Sequence, residues 1–424
     1  MNILHIIQLY YPVASGAARY FAEVGERLAH EGHRVTVLTT DAYDLEYFWS
    51  AGKRRIAQPH EWHNGVEIMR FPVRRLPGPS LLYPILRRLM VEISRVPGTT
   101  PLLRRLATLT PRLPDLRRYL RAQAAASARP FDLVHTTNIT LDFAILPALD
   151  FARACAIPFV CTPFVHLGEP GSRAILRYYS MRHQIDLLKR SDRVIVQTDV
   201  ERAELAARGI APARMRRIGV GVSPKEVAGG DAARFRAEQQ IAGPLVLAIG
   251  ALAYDKGTVH LVEALRRLWA DGSDATLALI GAPLSHFAQF YERLPADVRQ
   301  RIRLLPYASD AVKRDALAAA DLFALPSRTD SFGIVYLEAW CYRLAVIGAR
   351  AGGVPDVIDD QRDGLLVPFG DLPALANAIK LLLRDRALAQ QLGQAGYAKV
   401  CRELTWAHKY AQVRAVYDEL VASH

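Results

Sequence analysis

Short apolar runs alternate along this chain with stretches of helical spacing. Ile3–Gln8 is an apolar run that predicts a strand, and Ala17–His30 follows with Tyr20, Phe21, Val24 and Leu28 on one helical face. Glu31-Gly32-His33 ends that helix, with Gly32 suited to a left-handed cap. Arg34–Thr40 is rich in Val, Leu and Thr with little alternation, as expected of a strand buried on both faces. Val66–Phe71, Phe131–Thr136, Phe159–Thr162 and Arg193–Gln197 read as further strands with helical stretches between them. The second half repeats the plan. Leu245–Gly250, Ala275–Ile280, Ile302–Leu305, Leu322–Leu325 and Ala345–Ala349 predict strands, and Val259–Trp269, 310–320, 332–342, 371–384, 387–401 and Ala407–Leu420 predict helices. The polar stretch Val222–Gly243, with Ala228-Gly229-Gly230-Asp231, reads as the boundary.

Alternation of this kind predicts α/β architecture with two doubly wound domains, over 1–222 and 243–402. Residues 403–424 form a last helix that would return to the first domain. Two such domains would face a central cleft at the carboxyl ends of their strands, which is where open parallel sheets take ligands.

Composition narrows the classes. The 424 residues carry a net charge of +12, yet residues 51–130 alone hold 16 Lys and Arg against 4 Asp and Glu. The excess is thus one local basic insert, which argues against a general nucleic-acid surface. Four cysteines (155, 161, 341 and 401) form no C-x-x-C pair, so neither a zinc ribbon nor a dithiol site is supported, and reduced thiols are expected. The opening Met-Asn-Ile-Leu-His-Ile-Ile has no basic leader and reads as a strand rather than a secretion signal. No uncharged apolar run reaches the ~18 residues of a spanning helix. The expected location is cytoplasmic, with the insert as a candidate for peripheral attachment to the inner membrane face.

The chemistry concentrates in Pro326-Ser327-Arg328-Thr329-Asp330-Ser331-Phe332-Gly333-Ile334-Val335-Tyr336-Leu337-Glu338-Ala339, which follows a predicted strand and opens a helix. Gly333 permits close backbone approach, and the first-turn N–H groups form an anion site. Asp330 and Glu338 bracket it, and carboxylates accept hydrogen bonds from hydroxyl groups, so the set suits a polyol beside a phosphate. The simpler reading makes Asp330 an N-cap and Glu338 a surface charge.

This region resembles the E-x7-E segment of the retaining glycosyltransferases of family 4, which have the GT-B fold of two Rossmann-like domains. Gly250-Ala251-Leu252-Ala253-Tyr254-Asp255-Lys256-Gly257 is similar to that family's Gly-Arg-Leu…Lys-Gly loop. Gly352-Gly353-Val354-Pro355-Asp356 resembles its Gly-Gly-Val-Pro-Glu turn, and Gly364-Leu365-Leu366-Val367 the motif that follows. In the first half, Pro12-Val13-Ala14-Ser15-Gly16-Ala17-Ala18 lies where the family has a glycine loop after strand one. Gly32-His33-Arg34-Val35-Thr36-Val37 and Phe131-Asp132-Leu133-Val134-His135 match two strand entries. The similarity covers nearly all of the chain outside 41–130.

The resemblance implies transfer of a sugar from a nucleotide-diphosphate-sugar, such as a UDP-sugar, to a glycan or lipid-linked acceptor in cell-surface polysaccharide or glycolipid synthesis. It implies Asp330 on the hydroxyls of the transferred sugar, Glu338 on the ribose, and the amides of Phe332, Gly333, Ile334 and Val335 on the diphosphate. Lys256 would neutralise the leaving group, Gly16 would let the first domain's loop close over the phosphates, and His166 would face the sugar. Neither a metal nor a cofactor is then required. Ala251 stands at the donor site where the family usually has Arg, with Arg328 as the candidate replacement cation; Asp330 replaces the usual Glu, and Arg343 a common Gly. A non-catalytic sugar-nucleotide-binding protein of the same fold is the alternative. A nicotinamide oxidoreductase fits less well, because Ser15-Gly16-Ala17-Ala18-Arg19-Tyr20 is no G-x-G-x-x-G.

His5 and His135 read as packed strand residues, and His60-Glu61-Trp62-His63 as a solvated loop rather than a metal site. Residues 72–128 interleave Arg pairs with Leu, Ile and Tyr at near-helical spacing, broken by prolines 97, 101, 111 and 114. Such helices suit either an anionic membrane face or a solvated surface.

Overall fold

A computed structural model describes residues 1–13 and 15–423, so Ala14 of the first glycine loop lies outside the described residues. The chain divides into two compact units. The first comprises Met1–Val165, Ala174–Gly219 and the chain from Tyr410 onward; the second comprises His166–Arg173 and Val220–Lys409.

The first unit holds an eight-stranded sheet built from β1 (Asn2–Ile6), β2 (Arg34–Thr40), β3 (His60–His63), β4 (Val66–Phe71), β5 (Leu133–Thr137), β6 (Phe159–Thr162), β7 (Arg193–Val196) and β8 (Met215–Arg217). Its order is β3-β4-β2-β1-β5-β6-β7-β8, parallel except for the β3 hairpin arm. The apolar runs are central strands, buried along nearly their whole length, because helices cover both faces. The helix Gly16–His30 leaves the carboxyl end of β1, capped by the Ser15 hydroxyl, which accepts from the Ala18 amide. The chain direction reverses on either side of β1, so this loop sits at the sheet's switch point.

The last stretch of the chain completes this unit. Tyr417 is fully buried, and its hydroxyl meets His5 Nε2 at 3.1 Å and also His135 Nδ1. His135 Nε2 reaches the Thr162 hydroxyl at 2.7 Å. Burial pushes the His5 pKa down to about 3, and His135 is likewise held well below the usual range by burial and by its neighbour His5. Both rings are neutral packing and hydrogen-bonding groups.

The basic insert folds as three helices, Leu82–Ile93, Thr100–Ala107 and Pro114–Ala126. Of the prolines 97, 101, 111 and 114, Pro101 and Pro114 sit in the first turn of a helix, where no N–H partner is needed. Arg87 ties the insert to the unit: its Nη1 is 3.0 Å from both oxygens of buried Asp142, which also binds His183 Nε2 at 2.8 Å.

The second unit holds a six-stranded parallel sheet of β9 (Leu245–Ile249), β10 (Thr276–Ile280), β11 (Ile302–Leu305), β12 (Leu322–Leu325), β13 (Ala345–Ala349) and β14 (Leu365–Val367), ordered β11-β10-β9-β12-β13-β14. Its core joins Leu261, Leu265 and Leu268 of the helix Thr258–Ala270 to Val246, Leu277 and Ile347 of the sheet.

Several expectations are corrected. Residues 60–63 are an edge strand, not a loop: they pair antiparallel with β4, His60 reaches Glu67, and His63 stacks on Tyr11 with ring centroids 3.6 Å apart. The division between the units falls at Gly219–Val220, so the stretch 222–243 read as the boundary lies inside the second unit. It carries the helices Pro224–Val227 and Ala232–Glu238, the latter capped by Asp231 and held by Arg234 on Asp315. Residues 166–173 belong to the second unit, where the Gly168 carbonyl accepts from the Gly352 amide at 2.8 Å. The four cysteines are free thiols.

Candidate functional site

Three loops converge at the carboxyl ends of β9, β12 and β13. The sheet's connections diverge between β9 and β12, which makes this its switch point. The loop after β9 runs from Gly250 to Gly257, the loop after β12 from Pro326 to Gly333, and the turn after β13 from Arg350 to Gly353. Main-chain bonds lock them together: the Arg328 amide donates to the Asp255 carbonyl at 3.0 Å, and the Gly353 amide to the Asp330 carbonyl at 2.8 Å.

Glycine is needed where these loops touch. Gly257 has φ +74°, and a Cβ there would lie 2.2 Å from the Pro326 carbonyl oxygen. Gly352 has φ +58°, with the Asp330 carbonyl oxygen 2.4 Å from a Cβ built there. The family-like Gly-rich motifs are therefore explained by packing of the loops on one another.

Lys256 and Asp330 meet in this cradle. Lys256 Nζ donates to Asp330 Oδ1 at 2.8 Å, across 74 residues of sequence. Burial pushes the Asp330 carboxyl up, but the Lys256 ammonium, its hydrogen bond, Ser327 and His166 together hold it below the usual range. Asp330 is thus an anion at neutral pH, with Oδ2 buried and making no hydrogen bond among the described residues. It does not cap the helix: the N-cap of Ile334–Cys341 is Gly333, at φ 91°, with no side-chain cap. The helix starts two residues later than its apolar pattern predicts, because the left-handed Gly333 precedes it.

His166 lies close enough to Lys256 and Asp330 to feel both charges. Its pKa is pushed down to about 4, by burial first and the Lys256 charge second, against the opposing pull of Asp330. It is a neutral ring at physiological pH. Phe332 is buried, whereas Ile334 and Val335 are half-exposed at the helix start. Ala251 is half-exposed beside Gly250.

Glu338 departs from the surface-charge reading. Only 1% of it is exposed, and Oε1 accepts from Lys313 Nζ at 2.8 Å. Lys313 lies on the separate helix Asp310–Ala319, and no local motif marks it in the sequence. Arg328, the candidate replacement cation, is paired with two carboxylates. Its guanidinium donates to Asp255 Oδ1 at 2.8 and 2.6 Å and to Glu169 Oε1 at 2.7 Å, and it lies over the rings of Phe369 and Tyr254. Glu169 was also missed, since its role depends on where residues 166–173 fold. Arg343 keeps a left-handed backbone, φ 55°, at the position where the family has glycine.

Gly16 stands in the first unit at the start of its helix, and a Cβ built there would meet nothing within 4 Å. No contact among the described residues therefore demands glycine at this position. Among the described residues, no group of three or more His, Cys, Asp or Glu side chains is arranged to hold a metal. No helix among them is long and apolar enough to cross a membrane.

Comparisons with known proteins agree across both halves. The family model of a glycosyl transferase 4-like domain matches residues 15–221, and that of glycosyl transferases group 1 matches residues 231–399. Over 196 residues the chain is 33% identical to alpha-maltose-1-phosphate synthase of Mycolicibacterium smegmatis, covering 42% of this chain and 49% of that protein. Over 183 residues it is 31% identical to D-inositol 3-phosphate glycosyltransferase of Jonesia denitrificans, covering 42% and 43%. The chain thus spans about half the length of these relatives. Sucrose-phosphate synthase from Thermosynechococcus elongatus superposes with a TM-score of 0.75 at 22% identity, over 100% of both chains. Anabaena HepE in complex with UDP-glucose gives 0.73 at 18% identity, over 99% of this chain and 100% of that one. The fold is GT-B, with two Rossmann-like sheets. With both halves matched in order, the chain belongs to the group 1 glycosyltransferases of the family 4 type.

Proposed function

We propose that the second unit binds a nucleotide-diphosphate-sugar at the cradle of β9, β12 and β13 and that the chain transfers the sugar, with retention, to a glycan or lipid-linked acceptor. The observation that carries this reading is the Lys256–Asp330 pair at the switch point, beside the left-handed Gly333 that opens a helix. One ammonium and the first-turn amides of that helix supply fixed positive potential for a diphosphate. Asp330 Oδ2 is left to accept from a sugar hydroxyl, and neutral His166 can donate one N–H beside it. Glu338, held by Lys313, is the acceptor for ribose hydroxyls. Gly16 gives the first unit a loop that a phosphate can approach without steric conflict.

In this reading the leaving diphosphate gains charge as the glycosidic bond breaks, and Lys256 stabilises that charge more than it stabilises the intact donor. The cation is a side chain, so transfer needs no metal. The departing phosphate takes the acceptor's proton as the acceptor attacks from the same face, which preserves the anomeric configuration.

A lipid-linked acceptor at an anionic cytoplasmic membrane face is supported by the insert. Leu81, Leu82, Ile85, Leu89, Val96 and Leu102 are exposed there among arginines. Scattered exposed apolar residues need no explanation, but a cluster within two neighbouring helices does. In this reading the reaction serves cell-surface polysaccharide or glycolipid synthesis.

A thermal-shift series over UDP- and GDP-sugars, with and without EDTA, tests the proposal. A donor at 100 times its dissociation constant adds about 2.7 kcal/mol of stability. Stabilisation by one donor class, unchanged by EDTA, is expected. No shift with any donor, or a shift only with added magnesium or manganese, overturns it. The alternative of binding without turnover is favoured by Ala251 and by the committed Arg328, which leave the cradle one cation short. Stabilisation without any hydrolysis or transfer product identifies it.

A further inference from the structure

The first unit contains a pocket of about 340 Å³ between the helices Thr100–Ala107, Pro114–Ala126 and Asp142–Ala154. Its floor is apolar, from Leu120, Leu146, Pro147 and Phe151, and its polar lining carries Arg104, Arg105, Arg117 and Arg121 with one carboxylate, Asp150. That volume lies within the range of small-molecule sites. The helix Asp142–Ala154 starts at the carboxyl end of β5, and the pocket is lined by its later turns, which run back toward the opposite edge.

The four arginines are not equally satisfied. Arg104 donates to Asp150 at 2.6 Å and lies 3.7 Å from Asp186. Arg105, Arg117 and Arg121 have no carboxylate within ion-pair distance among the described residues. Arg105 lies in the last turn of its helix, where a cation complements the carbonyl ends. Arg117 and Arg121 have no helix end to complement, and Arg117 feels the Asp150 carboxylate only beyond ion-pair distance. They are one turn apart in the interior of Pro114–Ala126, and like charges at that spacing repel. The Arg117 pKa is lowered by burial first and by the Arg121 charge second, against the opposing pull of Asp150.

We propose that this pocket binds a phosphoryl anion carrying an apolar portion, through the guanidinium groups of Arg105, Arg117 and Arg121. Guanidinium forks match phosphate oxygens in paired, charge-assisted hydrogen bonds, and a dianion would remove the repulsion between Arg117 and Arg121. The floor of Leu120, Leu146 and Phe151 takes the non-polar part. The ligand is either the headgroup of an anionic lipid or a free phosphate ester. The site is separate from the nucleotide-sugar cradle, and it stands or falls independently of that reading.

Two probes distinguish the sources. The full chain is titrated with glycerol 3-phosphate by calorimetry, and sedimented with vesicles of phosphatidylglycerol in phosphatidylcholine at low salt. Binding to at least one probe is expected, and Arg117→Gln/Arg121→Gln should weaken it tenfold or more. The double variant should keep the wild-type melting temperature or exceed it, since it relieves a like-charge contact. Binding to glycerol 3-phosphate assigns a soluble ligand, and binding to vesicles alone assigns a lipid headgroup. No binding to either probe overturns the proposal. So does vesicle binding that survives the arginine variant but is lost in Ile85→Ser/Leu89→Ser, because it would then rest on the exposed leucine face and not on this pocket.

Discussion

Replacing Lys256 by alanine removes the one ammonium that touches Asp330 and leaves a largely buried carboxylate without its counter-charge. At 2.8 Å, Coulomb attraction with an effective dielectric constant near 20 is about 6 kcal/mol. The side chains are 24% and 16% exposed, so solvent screening and the desolvation of both groups cancel most of it. A net stability loss of about 1–3 kcal/mol is expected in denaturant unfolding. Turnover should fall by roughly ten- to a thousandfold, as for loss of a donor that stabilises developing charge. The two effects are separable. Lys256→Ala/Asp330→Asn removes the stranded charge along with the ammonium, so it should recover most of the stability while turnover stays low. Release of nucleotide diphosphate at saturating donor, normalised to folded protein, is the assay. Wild-type turnover in Lys256→Ala would refute the catalytic role. Recovery of turnover in the double variant would refute it differently, by showing that the lysine serves only to neutralise Asp330.

Two further outcomes follow from buried charge in the first unit. Asp142 is 1% exposed and accepts from Arg87, His183 and Gln184. Asp142→Ala strands the Arg87 guanidinium and should cost about 3–5 kcal/mol in urea unfolding, and a loss below 1 kcal/mol would contradict the hub assignment. His5 and His135 are held neutral in the fold with pKa values below that of an exposed histidine. The unfolded chain therefore binds more protons once the pH falls below about 6.5. Stability is fully present above that pH and declines as the pH drops toward about 3, by up to about 1.4 kcal/mol per unit for each ring. Urea midpoints at pH 7.5 and 5.0 check this, with His135→Gln showing the smaller difference; equal pH dependence in variant and wild type would contradict it.

The sequence by itself determined the strands and the chemistry of the loops between them. Continuous apolar runs such as Leu245–Ile249 and Leu322–Leu325 admit one arrangement, a parallel strand covered on both faces, so periodicity was enough to place them. The short strands β3, β8 and β14 were not legible. His60–His63 and Met215–Arg217 are mostly polar, and Leu365–Val367 is only three residues long, so none offers the apolar run that marked the edge strand Ile302–Leu305. The glycine loops were legible for a physical reason: left-handed positions such as Gly257 and Gly333 exclude other residues locally.

Which charges meet was decided only by tertiary structure. Lys256 and Asp330 are 74 residues apart and are joined because β9 and β12 are neighbours at the switch point. Glu338 is buried because the separate helix Asp310–Ala319 brings Lys313 to it, while Arg328 meets Glu169 and Asp255 from two other loops. The pocket arginines follow the same logic, since Arg105 and Arg117 face one space only after three helices pack together. Residue type and spacing encode local backbone conformation and burial, whereas Coulomb and hydrogen-bond partners depend on which chain segments the sheet order brings within a few ångströms.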